Sequence, residues 1–232
     1  MIPTYRTALI VGAGPGLGAA LARRFAKEGL QVGVCARDVA RLSALATETR
    51  GVAFAADVGD PFAVSALFDA VDAELGPPDV VVFNPSARLR GPFVELAGED
   101  VRCAVVTTAL GGFHVAQEAA RRMVPKGHGA ILFTGASASV KGYARSAPFA
   151  MGKFALRGLA QSLARELHPQ GIHVGHFVID GAIRAASRPE PGDRPDSHLD
   201  PAAIAEAYWQ FLSQDRSAWS WEVELRPWVE TF

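Results

Sequence analysis

The feature that most restricts the fold of this 232-residue chain is a glycine-rich turn between an apolar run and an amphipathic one. Residues 7–11 are apolar and predict a buried strand. After the turn, Leu17, Leu21 and Phe25 recur at four-residue spacing, which predicts a helix that ends at Gly29. A strand, a tight glycine turn and a helix in this order predict the first half of a β-α-β unit.

Strand-like and helix-like segments alternate along the rest of the chain. Predicted strands cover residues 31–36, 52–56, 79–83, 130–134, 173–179 and 221–225, and predicted helices cover about 38–46, 60–75, 99–123, 147–167 and 200–213. Such alternation predicts right-handed crossovers and a parallel sheet. The predicted fold class is therefore α/β, a Rossmann-type doubly wound parallel sheet of about seven strands with helices on both faces, in a single domain spanning residues 1–232.

The composition excludes several function classes. A net charge of −1 and a pI near 6.6 give no general attraction for nucleic acid. No apolar stretch approaches the roughly 20 residues that cross a bilayer, so we expect no membrane partner. Cys35 and Cys103 form no CxxC pair and the N-terminus has no signal-like pattern, which predicts a cytoplasmic protein. His173 and His176 should point to opposite faces of a strand, so we expect no metal site.

The glycine turn is the first candidate binding site. Backbone amides in such a turn can approach a pyrophosphate, which then lies against the N-terminus of the helix. The residues that we expect at this phosphate site are Gly12, Gly14, Pro15, Gly16, Leu17 and Gly18. The alternative is a tight turn without a ligand, but the β-α-β context favours a nucleotide.

The end of the second predicted strand indicates which nucleotide binds. An acidic side chain there would hold a ribose diol, whereas a cation would hold a 2′-phosphate. We place Ala36 at the diol position with Arg37 beside it, and we assign Asp38 to capping the next helix. This favours NADP over NAD, with a solvated surface arginine as the alternative for Arg37. Asp57 and Val58 follow the third strand and fit the edge of an adenine, unless they form only a turn.

A second pattern lies on the long helix predicted over residues 147–167. Phe149 and Lys153 are four residues apart, so their side chains project from one helical face and can act on one bound molecule. A tyrosine at position 149 would place a phenol beside the lysine ammonium, and a phenol can donate a proton. The benzyl ring of Phe149 cannot.

With these elements in place, the chain resembles the short-chain dehydrogenase/reductase family over essentially its whole length. The turn glycines match the family's glycine motif, and Asp57 matches its adenine-contacting aspartate. The resemblance implies further cofactor contacts from Asn84, Pro85, Ser86, Gly181 and Ile183. Residues 184–200, rich in proline and charge, predict a mobile loop over the pocket.

The same resemblance implies that most of the catalytic groups are missing. The family's asparagine, serine, tyrosine and lysine align with Thr108, Ala136, Phe149 and Lys153. In the family the tyrosine protonates a carbonyl oxygen, the serine donates to that oxygen, and the lysine holds the ribose and lowers the pKa of the phenol. Only Lys153 is retained, as in a divergent subgroup that carries phenylalanine in place of tyrosine.

Three hydroxyl groups are candidates to replace the missing acid. These candidates are Tyr143, Ser137 and Ser139, each of which also has the ordinary interpretation of a loop residue. We therefore predict an NADP-dependent oxidoreductase acting on a small molecule whose identity the sequence does not indicate. The alternative is a catalytically silent NADP-binding protein that acts as a redox sensor or as a subunit of an assembly.

Four tryptophans crowd the C-terminal segment, at positions 209, 219, 221 and 228. The long helix over residues 147–167 is apolar over more than one face. Exposed aromatic patches usually mark partner surfaces, so we predict a homodimer or homotetramer. The alternative is that the tryptophans cover the sheet edge of their own subunit.

Overall fold

A seven-stranded parallel sheet forms the centre of the structure, a computed structural model that describes residues 4–230. Nine strands are described, seven of them in this sheet. They are β1 (Thr7–Val11), β2 (Gln31–Ala36), β3 (Val52–Ala55), β4 (Val80–Phe83), β5 (Gly129–Thr134), β6 (Ile172–Ile179), β7 (Ala182–Ile183), β8 (His198–Leu199) and β9 (Glu222–Leu225). The sheet has the order β3-β2-β1-β4-β5-β6-β9, and β7 pairs with β8 separately. The predicted doubly wound fold is confirmed.

Seven α-helices are described between these strands. They are α1 (Leu17–Lys27), α2 (Ser43–Thr49), α3 (Pro61–Leu75), α4 (Gly98–Val105), α5 (Gly111–Met123), α6 (Ala147–Leu167) and α7 (Pro201–Leu212). No helix within residues 4–230 is long and apolar enough to cross a membrane.

The helices bury their apolar sides on two faces of the sheet. On one face, Phe25 of α1 and Tyr208 of α7 belong to the same buried cluster as Ile10 of β1. On the other face, Phe68 of α3 and Leu156 of α6 pack into a second cluster with the opposite side of the strands. Strands covered on both faces are mostly apolar, and in β6 all eight residues are buried, including His173 and His176.

The helix starts agree with the sequence at two positions and differ at a third. The carboxylates of Asp60 and Asp200 accept hydrogen bonds from the backbone amides of Phe62 and Ala202, so both cap their helices as expected. Asp38 makes no capping hydrogen bond, and the chain after it forms a 3-10 turn before α2. The carboxylate of Asp38 instead pairs with Arg41 at 2.8 Å. The predicted cap at Asp38 is therefore wrong, because the neighbouring guanidinium takes the carboxylate.

The predicted helix over residues 99–123 is also interrupted. A π-helical segment, Val106–Leu110, lies between α4 and α5. Its wider turn carries Thr108, which is 1% exposed, and such segments occur frequently at functional sites.

The segment 184–200 contains regular structure that the sequence did not predict. Its residues His198 and Leu199 form β8, which pairs in parallel with β7. The backbones of Ala185 and Arg188 also form an isolated bridge. The mobility of this segment stays a prediction.

Most of the C-terminal tryptophans contact their own subunit. Trp219 stacks on His173 with 4.3 Å between ring centroids, and Trp209 lies 6.3 Å from the ring of Phe25. The guanidinium of Arg157 lies over Trp221 at 5.5 Å. The fourth tryptophan, at position 228, is 81% exposed. Three of the four tryptophans therefore pack within the same chain, in agreement with the alternative interpretation. The assembly state stays a prediction.

Candidate functional site

The glycine turn lies between β1 and α1, where the strand order reverses between β1 and β4. Ligands of doubly wound sheets bind in the crevice at this point. Gly12 has φ +79°, and a Cβ atom there would lie 2.6 Å from the backbone nitrogen of Pro85. A side chain at position 12 would therefore be both strained and in collision with the segment that follows β4.

The other turn glycines serve two different purposes. A Cβ at Gly18 would lie 2.8 Å from the Cα of Ala13, so this glycine allows the helix to pack closely against the turn. A Cβ at Gly14 or at Gly16 would meet no protein atom within 4 Å. The open space at Gly14, near the N-terminus of α1, leaves room for a bound anionic group.

The flanking residues of the turn are placed differently from what we expected for cofactor contacts. The side chain of Leu17 is buried in the core beneath α1. Pro15 and Gly16 line a shallow depression between α1 and α7, not the cavity that extends from the turn across the edge of the sheet. If Leu17 contacts a phosphate, it does so through its backbone.

A first cavity of about 340 Å³ extends from the glycine turn across the ends of β2 and β3. Of the predicted cofactor residues, it brings together Gly12, Arg37, Asp57, Val58, Asn84, Pro85 and Ser86. One carboxylate oxygen of Asp57 accepts a hydrogen bond from the amide of Gly59 at 2.9 Å, which holds the Asp57 side chain in a tight turn.

A second cavity of about 290 Å³ lies on the other side of β4, over the ends of β5 and β6. The predicted residues in its wall are Asn84, Ser86, Phe149, Lys153, Gly181 and Ile183. Asn84 and Ser86 line both cavities, so the two form one elongated site. The side chain of Asn84 donates a hydrogen bond to the carbonyl of Gly12 at 2.9 Å, which ties the middle of this site to the glycine turn.

Lys153 lies at the base of the second cavity. It is only 2% exposed, and its Nζ donates a hydrogen bond to the backbone carbonyl of Thr134 at 2.6 Å. Burial, with a further contribution from repulsion by Arg88, lowers the pKa of Lys153 from 10.5 to about 7. This amine can therefore hold or release a proton near neutral pH.

The three positions that the resemblance aligned with the family's asparagine, serine and tyrosine place no hydroxyl group in the wall of this cavity. Ala136 and Phe149 line the cavity with Lys153 and present methyl and benzyl groups to it. The buried hydroxyl oxygen of Thr108 accepts a hydrogen bond from the amide of Ala87 at 3.3 Å. Thr108 thereby holds the segment after β4 in place and does not reach the cavity wall.

None of the three predicted substitute hydroxyls lines the cavity of Lys153. Tyr143 is half exposed and borders a separate depression with Arg90 and Arg145. Ser139 is fully buried, and its hydroxyl oxygen accepts a hydrogen bond from the amide of Ala136 at 3.2 Å. Ser137 begins the same short turn but is not in the cavity wall. The catalytic role of these residues stays a prediction that the geometry does not support.

The structure adds two cations that sequence reasoning missed. Arg88 and Arg188 both line the cavity of Lys153, and the guanidinium carbon of Arg88 lies 5.1 Å from the centroid of the Phe149 ring. Both residues come from irregular segments. The sequence indicated a role for them only by their closeness along the chain to predicted cofactor residues, Arg88 to Asn84 and Arg188 to Ile183. Residues 4–230 contain no group of three histidine, cysteine or acidic side chains placed to hold a metal ion.

The fold and the elongated site define a nucleotide-binding α/β protein of the doubly wound class. The family model described as short chain dehydrogenase matches residues 6–189. The chain therefore belongs to the short-chain dehydrogenase/reductase family.

Individual relatives agree with this classification. A solved short-chain dehydrogenase from Rhodopseudomonas palustris is 37% identical and superposes with a TM-score of 0.83 over 97% of this chain and 100% of its own. A metagenomic short-chain oxidoreductase solved with NADP is 26% identical, with a TM-score of 0.84 over 98% of this chain and 99% of its own. A cyclic-di-GMP-binding biofilm dispersal mediator protein from Escherichia coli K12 is 35% identical over 200 residues, which are 83% of this chain and 79% of that protein.

Proposed function

We propose that this protein is an NADP-dependent oxidoreductase that works without the tyrosine acid of its family. The observation that carries the proposal is the position of Lys153, buried at the base of a cavity that continues through Asn84 and Ser86 to the glycine turn. A dinucleotide lying along this site would have its pyrophosphate at the turn and its nicotinamide beside Lys153.

The preference for NADP is supported at the end of β2. Arg37 lines the first cavity, and Ala36 offers no carboxylate to a ribose diol. The carboxylate of Asp38, the next residue, is paired with Arg41 and does not line the cavity. Within residues 4–230 the guanidinium of Arg37 forms no ion pair with Asp57, the acidic residue of the same cavity, and such a cation suits a 2′-phosphate. Two structurally similar proteins of the family, a metagenomic oxidoreductase and a polyketide ketoreductase, were solved with NADP and NADPH.

When it is bound, NADPH supplies a hydride to the substrate. Lys153 is placed to hold the nicotinamide ribose through its ammonium donors, and its lowered pKa also allows it to exchange a proton at Nζ. Phe149 and Ala136 contribute apolar wall to this end of the site but transfer no proton. The acid is worth roughly 10²- to 10⁴-fold in rate and the oxyanion donor roughly 10²- to 10³-fold, so simple ketones should be poor substrates.

Substrates that need no strong acid fit this site better. An activated alkene is one such class, because its reduction places negative charge on a distant group and the proton can arrive later from Lys153 or from water. The alternative proposal is a silent NADP-binding protein, which the inert side chains of Ala136 and Phe149 favour. Turnover of NADPH with any activated alkene would exclude this alternative.

Calorimetric titration with NADPH and NADH tests the cofactor. We expect NADPH to bind at least tenfold more tightly than NADH, since charge-assisted hydrogen bonds to a phosphate contribute about 1.5–3 kcal/mol. Arg37→Ala should weaken NADPH roughly 10- to 100-fold and leave NADH within about twofold. Arg165→Ala, an exposed arginine on α6 that lines neither cavity, is the matched control. Equal affinities for both nucleotides would remove the argument from Arg37, and no binding of either would exclude both proposals.

A further inference from the structure

We propose that the cavity above Lys153 binds the anionic group of an organic acid, a carboxylate or a phosphate, through Arg88 and Arg188. This inference rests on the proposed function in one respect, since it identifies the class of substrate that the same site takes. It depends on side chains other than those that would hold the cofactor.

The charge on this cavity is unbalanced. Among the described residues that line it, Arg88 and Arg188 are cationic, Lys153 is a third basic group, and none is acidic. Neither arginine has an ion pair or a side-chain hydrogen bond within residues 4–230. The carboxylate of Asp180, beside Gly181 in the wall, already lies 3.2 Å from Lys141 and 3.4 Å from Arg226. No carboxylate of the wall is therefore available to neutralise these cations.

Arg88 lies among other basic groups that repel it. Burial, then repulsion from Arg90 and Arg188, lowers the pKa of Arg88, and Arg88 in turn contributes to the lowered pKa of Lys153. Cations held together in a partly enclosed space are stabilised when an anion lies between them. Arginine is suited to this role because its planar guanidinium can donate two parallel hydrogen bonds to a carboxylate or a phosphate.

Phe149 has a physical role in this arrangement. The guanidinium of Arg88 lies over its ring at 5.1 Å, a cation–π contact that holds the arginine over the cavity. Phe149, Ile179 and Ile183 supply the apolar part of the wall. The site therefore offers cations for an acidic group next to an apolar surface for the uncharged part of the same molecule.

The probes are benzoate and phenyl phosphate, with uncharged benzamide as the matched control for the shape of the ring. Binding is measured by calorimetry on the free protein and again with saturating NADPH. We expect at least one of the two anions to bind at least tenfold more tightly than benzamide, and the comparison of benzoate with phenyl phosphate shows which anion is preferred. If neither anion binds more tightly than benzamide, the inference is wrong.

Substitutions separate this site from general charge effects. Arg88→Gln and Arg188→Gln should each weaken the preferred anion at least tenfold. Arg188 is exposed, so its substitution tests the inference even if Arg88→Gln fails to fold. Arg90→Gln removes the same charge two residues from Arg88 but outside the cavity, and it should change the affinity less than threefold. An equal loss in Arg90→Gln would overturn the inference.

The two proposals fail in different ways. If NADPH binds and neither anion does, the anion site is wrong and the cofactor proposal stands. If an anion binds with the expected arginine dependence and NADPH does not, the cofactor proposal is wrong. If Arg188→Gln weakens NADPH and leaves the anion unchanged, Arg188 binds a cofactor phosphate and the inferred site is wrong.

Discussion

Replacing Lys153 by methionine should remove most of the pH dependence of stability between pH 7 and pH 9. The Lys153 amine is protonated up to about pH 10.5 in the unfolded chain, but it loses its proton near pH 7 in the folded, cofactor-free protein. The unfolded state therefore holds more protons in this range, and the free energy of unfolding must rise with pH.

The magnitude follows from the two pKa values. One pKa unit corresponds to about 1.4 kcal/mol, so burying the charged form costs the folded protein about 5 kcal/mol, and at pH 7, where about half of the amine is deprotonated, the cost is about 4 kcal/mol. About 2 kcal/mol of this cost disappears by pH 9. Lys153→Met also leaves the carbonyl of Thr134 without its 2.6 Å partner, at a cost of about 1–3 kcal/mol that does not depend on pH. The change with pH, not the absolute stability, is therefore the informative quantity.

Urea denaturation at several pH values provides the measurement. The wild type should gain about 2 kcal/mol more than Lys153→Met on going from pH 7 to pH 9. Lys126→Met, which removes an exposed lysine, should follow the wild type. The range ends at pH 9 because burial raises the pKa of the Cys35 thiol from 9.0 to about 12, which lowers stability at higher pH in all three proteins. Parallel pH profiles for wild type and Lys153→Met would refute the buried, readily deprotonated amine.

Three further predictions concern the acid, the turn and the assembly. Phe149→Tyr should raise the rate of NADPH oxidation with simple ketones less than tenfold, because Ala136 still offers no second donor to the carbonyl oxygen. A hundredfold rise in this rate would contradict the prediction. Gly12→Ala should destabilise the fold by about 1–3 kcal/mol in urea denaturation. Gly14→Ala should stay within about 0.5 kcal/mol yet weaken NADPH at least tenfold in calorimetry, and a reversal of these two results would contradict the assignment of the glycines. Light scattering should show a homodimer or homotetramer that Trp228→Ser weakens, whereas a mass near 24.5 kDa would contradict assembly.

Local patterns were sufficient for the architecture. The spacing of apolar residues identified the main strands and helices, because burial of one helical face or of a whole strand leaves its period in the sequence. Asp60 and Asp200 were recognisable as caps since capping involves only neighbouring residues. The cap predicted at Asp38 was wrong because the Asp38 carboxylate can either cap the helix or pair with Arg41, which is three residues away. The sequence alone does not show which of these two contacts forms.

What the sequence by itself determined is therefore the doubly wound sheet, the glycine turn after its first strand and the four-residue spacing of Phe149 and Lys153 on one helix, all of which follow from periodicity and short-range spacing. Only the tertiary structure decided which side chains share a cavity. It brought Arg88 and Arg188 together across 100 residues of chain and placed Tyr143 outside their cavity. The physical reason is that irregular segments take their course from long-range packing, such as the hydrogen bond from Ala87 to Thr108, and such contacts leave no periodic pattern in the sequence.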